Sequence, residues 1–171
     1  FKHHRFQPLK EFLELAVAEC PNHIFQSSKN RASDFKEKFN LDQVRIVSRV
    51  NAAIKITNFI TQAISNNKLR HETLQDFMIA NDTVTIAAEL PILISSEDIR
   101  HYKHELNFEI PINLKDGEYI TGHIDLIQVR NGSIYILDYK PSATKQKPVE
   151  QLTIYALALA RLTGLRLYHF K

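Results

Sequence analysis

Several kinds of chemistry are closed to this sequence by what it lacks. It has a single cysteine, Cys20, so neither an internal disulfide framework nor a cysteine-based zinc site can be built. Only four glycines occur, which argues against long flexible linkers, and neither repeats nor low-complexity segments interrupt the chain. No G-x-x-x-x-G-K-[ST] loop is present, so the chain carries no helicase or ATPase motor of its own. No run of 18 apolar residues exists, and no membrane span is expected. The opening FKHHRFQPLK lacks the apolar segment of a signal peptide, which makes a cytoplasmic setting the default expectation. It also lacks an initiator methionine, so the chain reads as a fragment of a larger protein with a neighbouring domain missing.

What is present suits one soluble globular domain of 171 residues, with 44% hydrophobic and 24% charged residues. The net charge of +3 is unevenly spread: residues 1–80 carry 12 basic and 8 acidic residues, residues 81–171 carry 10 and 11. The first half can approach a phosphate backbone, although such an excess is also ordinary on a solvated helical surface.

Periodicity divides the chain into a helical part, 1–80, and a sheet core, 81–171. Pro8 opens a helix with Leu9, Phe12, Leu13, Ala16 and Val17 at helical spacing, and Pro21 stops it. Residues 21–31 read as a loop, and a short helix over 33–40 follows Ser33. A longer helix is expected from Asp42 to Asn66-Asn67, with Ile46, Val50, Ile54, Ile60 and Ile64 as its apolar stripe, then a short one over 72–80. Thr83 to Ile94 reads as β structure interrupted by Pro91, and Ser95-Ser96 cap a short helix through His101. Residues 105–114 alternate Leu106, Phe108, Ile110 and Ile112 against polar neighbours, which predicts a strand. With the turn signals Asp116-Gly117 and Asn131-Gly132, a meander of strands 104–114, 118–130 and 133–140 results. Pro148 opens a helix that Gly164 closes, and Arg166–Phe170 reads as a strand parallel to its neighbour. The expected fold class is α/β, a mixed β-sheet flanked by helices with a helical N-terminal half.

The chemistry concentrates between Tyr119 and Leu165, around GHIDLIQVRNGSIYILDYK. In an extended strand His123, Asp125 and Ile127 share one face and Gly122, Ile124 and Leu126 the other; Ile134, Ile136, Asp138 and Lys140 share a face of the next strand. Pairing about Asn131-Gly132 lets Asp125 and Asp138 meet one cation, with Lys140 on the same side. Like charges held this close call for a divalent metal or a shared proton. Oxygen donors suit Mg²⁺ or Mn²⁺, which with a phosphate ligand can activate water for phosphodiester cleavage. The bland alternative is a half-exposed hairpin with solvated charges, which five matching residues together make a poor account. Gln151 and Tyr155 lie one turn apart on the following helix, as site residues or simply as a buried Gln and Tyr. Lys145 and Lys147, in the loop before that helix, either contact phosphates or are ordinary loop charges.

The order G-x-x-D, turn, I-x-D-Y-K, Q-x-x-x-Y resembles the RecB-type branch of the PD-(D/E)xK nucleases, through Gly122, Asp125, Asp138, Tyr139, Lys140, Gln151 and Tyr155. The likeness covers roughly residues 104–171. It implies a restriction-endonuclease-like core, metal ligands at Asp125 and Asp138, a catalytic Lys140, and Gln151 and Tyr155 facing the active site and substrate. It further implies one or two Mg or Mn ions and hydrolysis of DNA in repair, recombination or mobile-element processing. A helicase, another protein subunit or a missing neighbouring domain is the expected protein partner. Family members commonly add a histidine on the first long helix, within an R-G-x-x-x-H-like stretch. The nearest segment here, Arg49 to Ile54, has none, and His3, His4, His71, His101 and His104 stand outside that context. A third ligand is therefore sought first among the acids: Glu105, twenty residues before Asp125 on the adjacent expected strand, is the first choice, with Glu89, Glu109 or one of the histidines as alternatives. The rival reading keeps the nuclease-like fold only for nucleic-acid binding or assembly. A small-molecule α/β enzyme lacks both a nucleophile constellation and a nucleotide fingerprint.

Overall fold

Strand β3 (Tyr119–Arg130) is the spine of the sheet. In this computed structural model, which describes residues 4–35, 38–39, 47, 50–140 and 148–171, β3 pairs along both of its edges. Strand β2 (Thr85–Ser95) runs antiparallel to it from Ser95↔Tyr119 to Thr85↔Gln128. On the other edge β1 (Asn30–Arg31) pairs in parallel at Ile120 and Thr121, and β4 (Ser133–Leu137) returns antiparallel from Leu126↔Leu137 to Arg130↔Ser133. Asn131 (φ 49°) and Gly132 (φ 68°) supply the two left-handed residues of that hairpin turn, as the sequence demands. The sheet is thus mixed, and helices flank it.

The principal core lies between the sheet and helix α6 (Val149–Thr163), whose Ile154, Tyr155, Leu157, Ala158 and Leu159 are buried against Ile92, Ile94, Ile120, Ile124 and Ile134. Helix α1 (Gln7–Glu19) and the short α2 (Asn22–Ser27) complete the N-terminal side. A second, smaller core of Ile60, Leu74, Met78 and Leu126 docks the hairpin of α3 (Ala52–Ala63) and α4 (Asn67–Asn81) on the sheet. Among the described residues no helix is long and apolar enough to cross a membrane.

Local chemistry explains the departures from expectation. The helix expected from Asp42 begins outside the described residues; the described helix starts at Ala52, where Asn51 caps it by accepting the Ile54 amide. Asn66 does not end a helix but starts one, its side chain accepting from the amides of Lys68 and Leu69, so α4 is longer than the expected 72–80. Of the expected helix over 33–40 the described part is a single 3-10 turn, Ala32–Asp34. Pro91 does not break β2, because β2 is an edge strand and a missing amide donor costs nothing on the open side.

The largest correction concerns 104–114, which is not a strand. Ser95 and Asp98 form a reciprocal capping box, and helix α5 (Ser96–Glu105) runs on to Glu105. Asn107 then adopts φ 49°, which breaks any extended path, and Ile110 and Leu114 reach the core from a loop. The three strands of the meander are therefore β2, β3 and β4. Arg166–Phe170 is likewise mostly a 3-10 turn (Leu167–His169), and parallel pairing is confined to a bridge between Ile134 and Phe170.

Candidate active site

The β3–β4 register places Asp125 across from Asp138, one step beyond the last paired residues, Leu126 and Leu137. Strand β4 ends just before that step, at Leu137, three residues short of the expected 140. The chain is held as it leaves the sheet because the Tyr139 amide donates to Asp125 Oδ2 at 2.6 Å. Asp138 is almost wholly buried, its side chain 2% exposed, and receives a hydrogen bond from Gln151 Nε2 on Oδ1 at 3.1 Å. Lys140 Nζ lies 2.9 Å from the other oxygen, Oδ2. The ammonium thus faces the oxygen that Gln151 leaves free, and each carboxylate oxygen has one partner. Burial is the main influence on the Asp138 carboxyl and pushes its pKa up; the Asp125 charge adds to this, while Lys140 and His71 oppose it.

Opposite Asp125 on the other edge stands Glu89. The β2–β3 ladder runs from Ala88↔Leu126 to Leu90↔Ile124 and skips this one step, where Glu89 takes φ 50°. A left-handed residue with a side chain is uncommon in a strand and costs about 1 kcal/mol or more. It also breaks the expected alternation of faces: Ile124 and Ile127 both enter the principal core, while Leu126 enters the smaller one. The site sits on this discontinuity.

Helix α4 supplies the residue that sequence reasoning missed. His71 Nε2 is 3.1 Å from Asp125 Oδ2, and its Nδ1 is 3.7 Å from Glu89 Oε1. Donor atoms of His71, Glu89 and Asp125 all lie within 4.8 Å of one another. The signal was available: Asn66 as a cap puts His71, Gln75 and Met78 on one face of the helix at i, i+4 and i+7. The helix histidine that the resemblance asks for thus comes from α4 and not from the stretch near Arg49.

The first-choice third acid is misplaced. Glu105 ends α5 and is exposed, not on a strand beside Asp125; the strand position is taken by Glu89. Glu109 is an exposed partner of Lys103 at 3.1 Å. Lys145 and Lys147 lie outside the described residues.

Gln151 and Tyr155, both buried on α6, close the floor of the site: the Gln151 amide donates to the Tyr155 hydroxyl at 2.7 Å as well as to Asp138. Burial, chiefly, pushes the Tyr155 hydroxyl up to about 12, so it stays protonated at neutral pH. The glycine of G-x-x-D exists for this tyrosine. A Cβ on Gly122 would stand 2.7 Å from Tyr155 Cε1 and 3.3 Å from the Ala32 Cβ. Gly122→Ala should therefore cost about 1–3 kcal/mol of stability through overpacking. Because Tyr155 holds Gln151, and Gln151 holds Asp138, it should also depress cleavage, as melting and nuclease assays on one preparation would reveal. A variant that melts and cuts like the parent would mean that Tyr155 can shift without consequence.

No curated protein and no solved structure gives a significant match to the chain. The family model described as the PD-(D/E)XK nuclease superfamily matches residues 44–169, a span that includes His71, both strand acids and the Gln-Tyr helix. A match over most of its length makes this chain a member of the PD-(D/E)XK nuclease superfamily, whose members are hydrolases that act on nucleic acids with divalent metals.

Proposed function

We propose that the chain is a Mg²⁺- or Mn²⁺-dependent deoxyribonuclease of the RecB-type branch, working in repair, recombination or mobile-element processing. The observation that carries this reading is the convergence of His71, Glu89 and Asp125 beside Asp138 and Lys140. The donor set fits a cation. His71 Nε2 and Asp125 Oδ2 are 3.1 Å apart, close to the roughly 3 Å between neighbouring ligands of an ion bound at about 2.1 Å. His71, Glu89 and Asp125, with Asp138 next to them, would hold one or two ions, and Gln151 would fix the Asp138 carboxylate. A bound divalent cation supplies charge for the phosphate and lowers the pKa of a water.

The chain's own groups do the rest. Lys140, reaching past a buried carboxylate with its side chain 24% exposed, is placed to orient the attacking water or to neutralise charge developing on the phosphate. Gln151 and Tyr155, buried beneath the site, set the geometry of Asp138. Lys145 and Lys147 remain candidates for phosphate contacts. Without a phosphate-binding loop in the sequence, strand separation would fall to a helicase or another protein partner. A binding-only fold would rest on a missing helix histidine, and His71 fills that place.

The test is cleavage of labelled single-stranded and duplex DNA, with RNA alongside. Activity should appear with Mn²⁺ or Mg²⁺, vanish in EDTA and stay absent with Ca²⁺, whose loose coordination places water poorly. The imidazole in the ligand set predicts half-maximal activity at lower Mn²⁺ than Mg²⁺. Robust cleavage in EDTA would overturn the metal mechanism, and cleavage of RNA alone would overturn the substrate.

A further inference from the structure

We infer that Gln75 is the positioning residue of the metal centre: a single neutral amide on α4 that donates to Glu89 and to the Asp125 main chain while packing against His71, and so sets the three ligand-bearing residues in register. The inference rests on the proposed metal centre and extends it to a residue that neither the motif nor the family match singles out. Gln75 is 7% exposed, one helical turn after His71. Its amide nitrogen lies 2.5 Å from Glu89 Oε1, 3.4 Å from the Asp125 main-chain carbonyl and 3.3 Å from His71 Nε2. One atom therefore touches all three residues of the cluster.

The chemistry of an amide explains why a glutamine stands here. Its nitrogen carries two protons and accepts nothing. Turned round, the side chain would set its carbonyl oxygen against the Glu89 carboxylate and the Asp125 carbonyl, three acceptors facing one another, so the nitrogen-inward orientation is the one the surroundings select. The two protons go to the two oxygens, and the His71 nitrogen faces a donor group on this side and the Asp125 carboxylate on the other. His71 Nε2 thus stands between the Gln75 amide nitrogen, at 3.3 Å, and Asp125 Oδ2, at 3.1 Å. A lysine at this position would neutralise the acids and compete with a cation, and a glutamate would repel Glu89. A neutral donor restrains Glu89, whose left-handed backbone leaves its side chain 51% exposed, and leaves the charge of the cluster to the metal. Outer partners of this kind are worth about 10- to 100-fold in metal affinity.

Titration of the metal-free protein with Mn²⁺, by calorimetry and by the electron paramagnetic resonance of the bound ion, tests this directly. Gln75→Met keeps the length and the packing and removes the donor. It should melt in EDTA near the parent and bind Mn²⁺ about 10- to 100-fold more weakly, with an altered spectrum of the bound ion. Gln75→Ala, which opens room for water to take over the two donations, should lose less and guards against misfolding of the first variant. Parental Mn²⁺ affinity and spectrum in either folded variant would overturn the role of Gln75, since a residue that merely fills the core lowers melting without moving either. Asp125→Asn separates this failure from that of the metal centre itself. If Asp125→Asn loses Mn²⁺ while the Gln75 variants keep it, only the glutamine's role falls. If the parent binds no Mn²⁺, or Asp125→Asn binds it as the parent does, the metal centre falls and this inference with it.

Discussion

Lys140→Ala should lower DNA cleavage by about 100- to 1,000-fold while leaving Mn²⁺ affinity nearly unchanged. The ammonium lies 2.9 Å from Asp138 Oδ2, while Gln151 from the following helix fixes the other oxygen, so the main loss at the acid is one of charge. Its removal leaves the Asp138 carboxylate, 2% exposed, with one fewer compensating charge. A cation is then wanted more, and any change in metal affinity should be a slight gain. The transition state has no such substitute: a positive group aimed at charge that develops only during cleavage is lost outright, which lowers kcat rather than binding. Parallel measurement of Mn²⁺ binding and single-turnover cleavage distinguishes the two roles. Equal losses in both would make Lys140 a structural partner of the acids and nothing more.

Asp138→Asn should abolish cleavage, by at least about 100-fold, while the metal-free protein melts at the same temperature or higher. The sign follows from the direction of the pKa. Burial raises the Asp138 carboxyl above its unfolded value, so above the ordinary carboxylate range the folded state carries a charge it would rather shed, and that ionisation works against folding. Asparagine removes the charge and keeps an oxygen for the Gln151 donor. It also strands Lys140, but that side chain is 24% exposed and water can reach it. Were Asp138 chiefly a structural acceptor, the same change would cost about 1–3 kcal/mol, as for a lost buried charged hydrogen bond. Melting in EDTA beside cleavage in Mn²⁺ decides: a variant that melts much lower yet still cuts would mean that the site is misplaced.

The half of the site borne on the β3–β4 hairpin could be read from the sequence because its signals are local. Asn131-Gly132 fixes the turn, the turn fixes the register, and the register sets Asp125 across from Asp138 without further information. Helical spacing puts Gln151 and Tyr155 on one face but leaves open whether that face is core or site; both are buried, and Gln151 also reaches Asp138. The other half is non-local. His71 and Asp125 are brought together by the docking of α4 on the sheet through the small core of Ile60, Leu74, Met78 and Leu126, and no pattern within α4 announces a partner on β3. Reading Asn66 as a helix stop concealed even the face on which His71 lies. Glu105 failed for a different reason: hydrophobic alternation over 106–112 imitates a strand, whereas the capping box at Ser95 and the left-handed Asn107 decide for helix and loop. Glu89 is one of the two alternative acids, but its backbone angle carries no signal, since nothing in T-I-A-A-E-L-P foretells a left-handed residue in mid-strand.

That conformation makes Glu89 the place where durability and activity pull the chain in opposite directions. Glycine would occupy φ 50° without the steric cost that a side chain incurs there, and asparagine would tolerate it better than most. Selection for stability alone would therefore drift toward Gly or Asn at this position and discard the carboxylate. An engineer screening for heat tolerance should expect such replacements among the hits, and on the proposed metal centre they should bind Mn²⁺ more weakly than the parent.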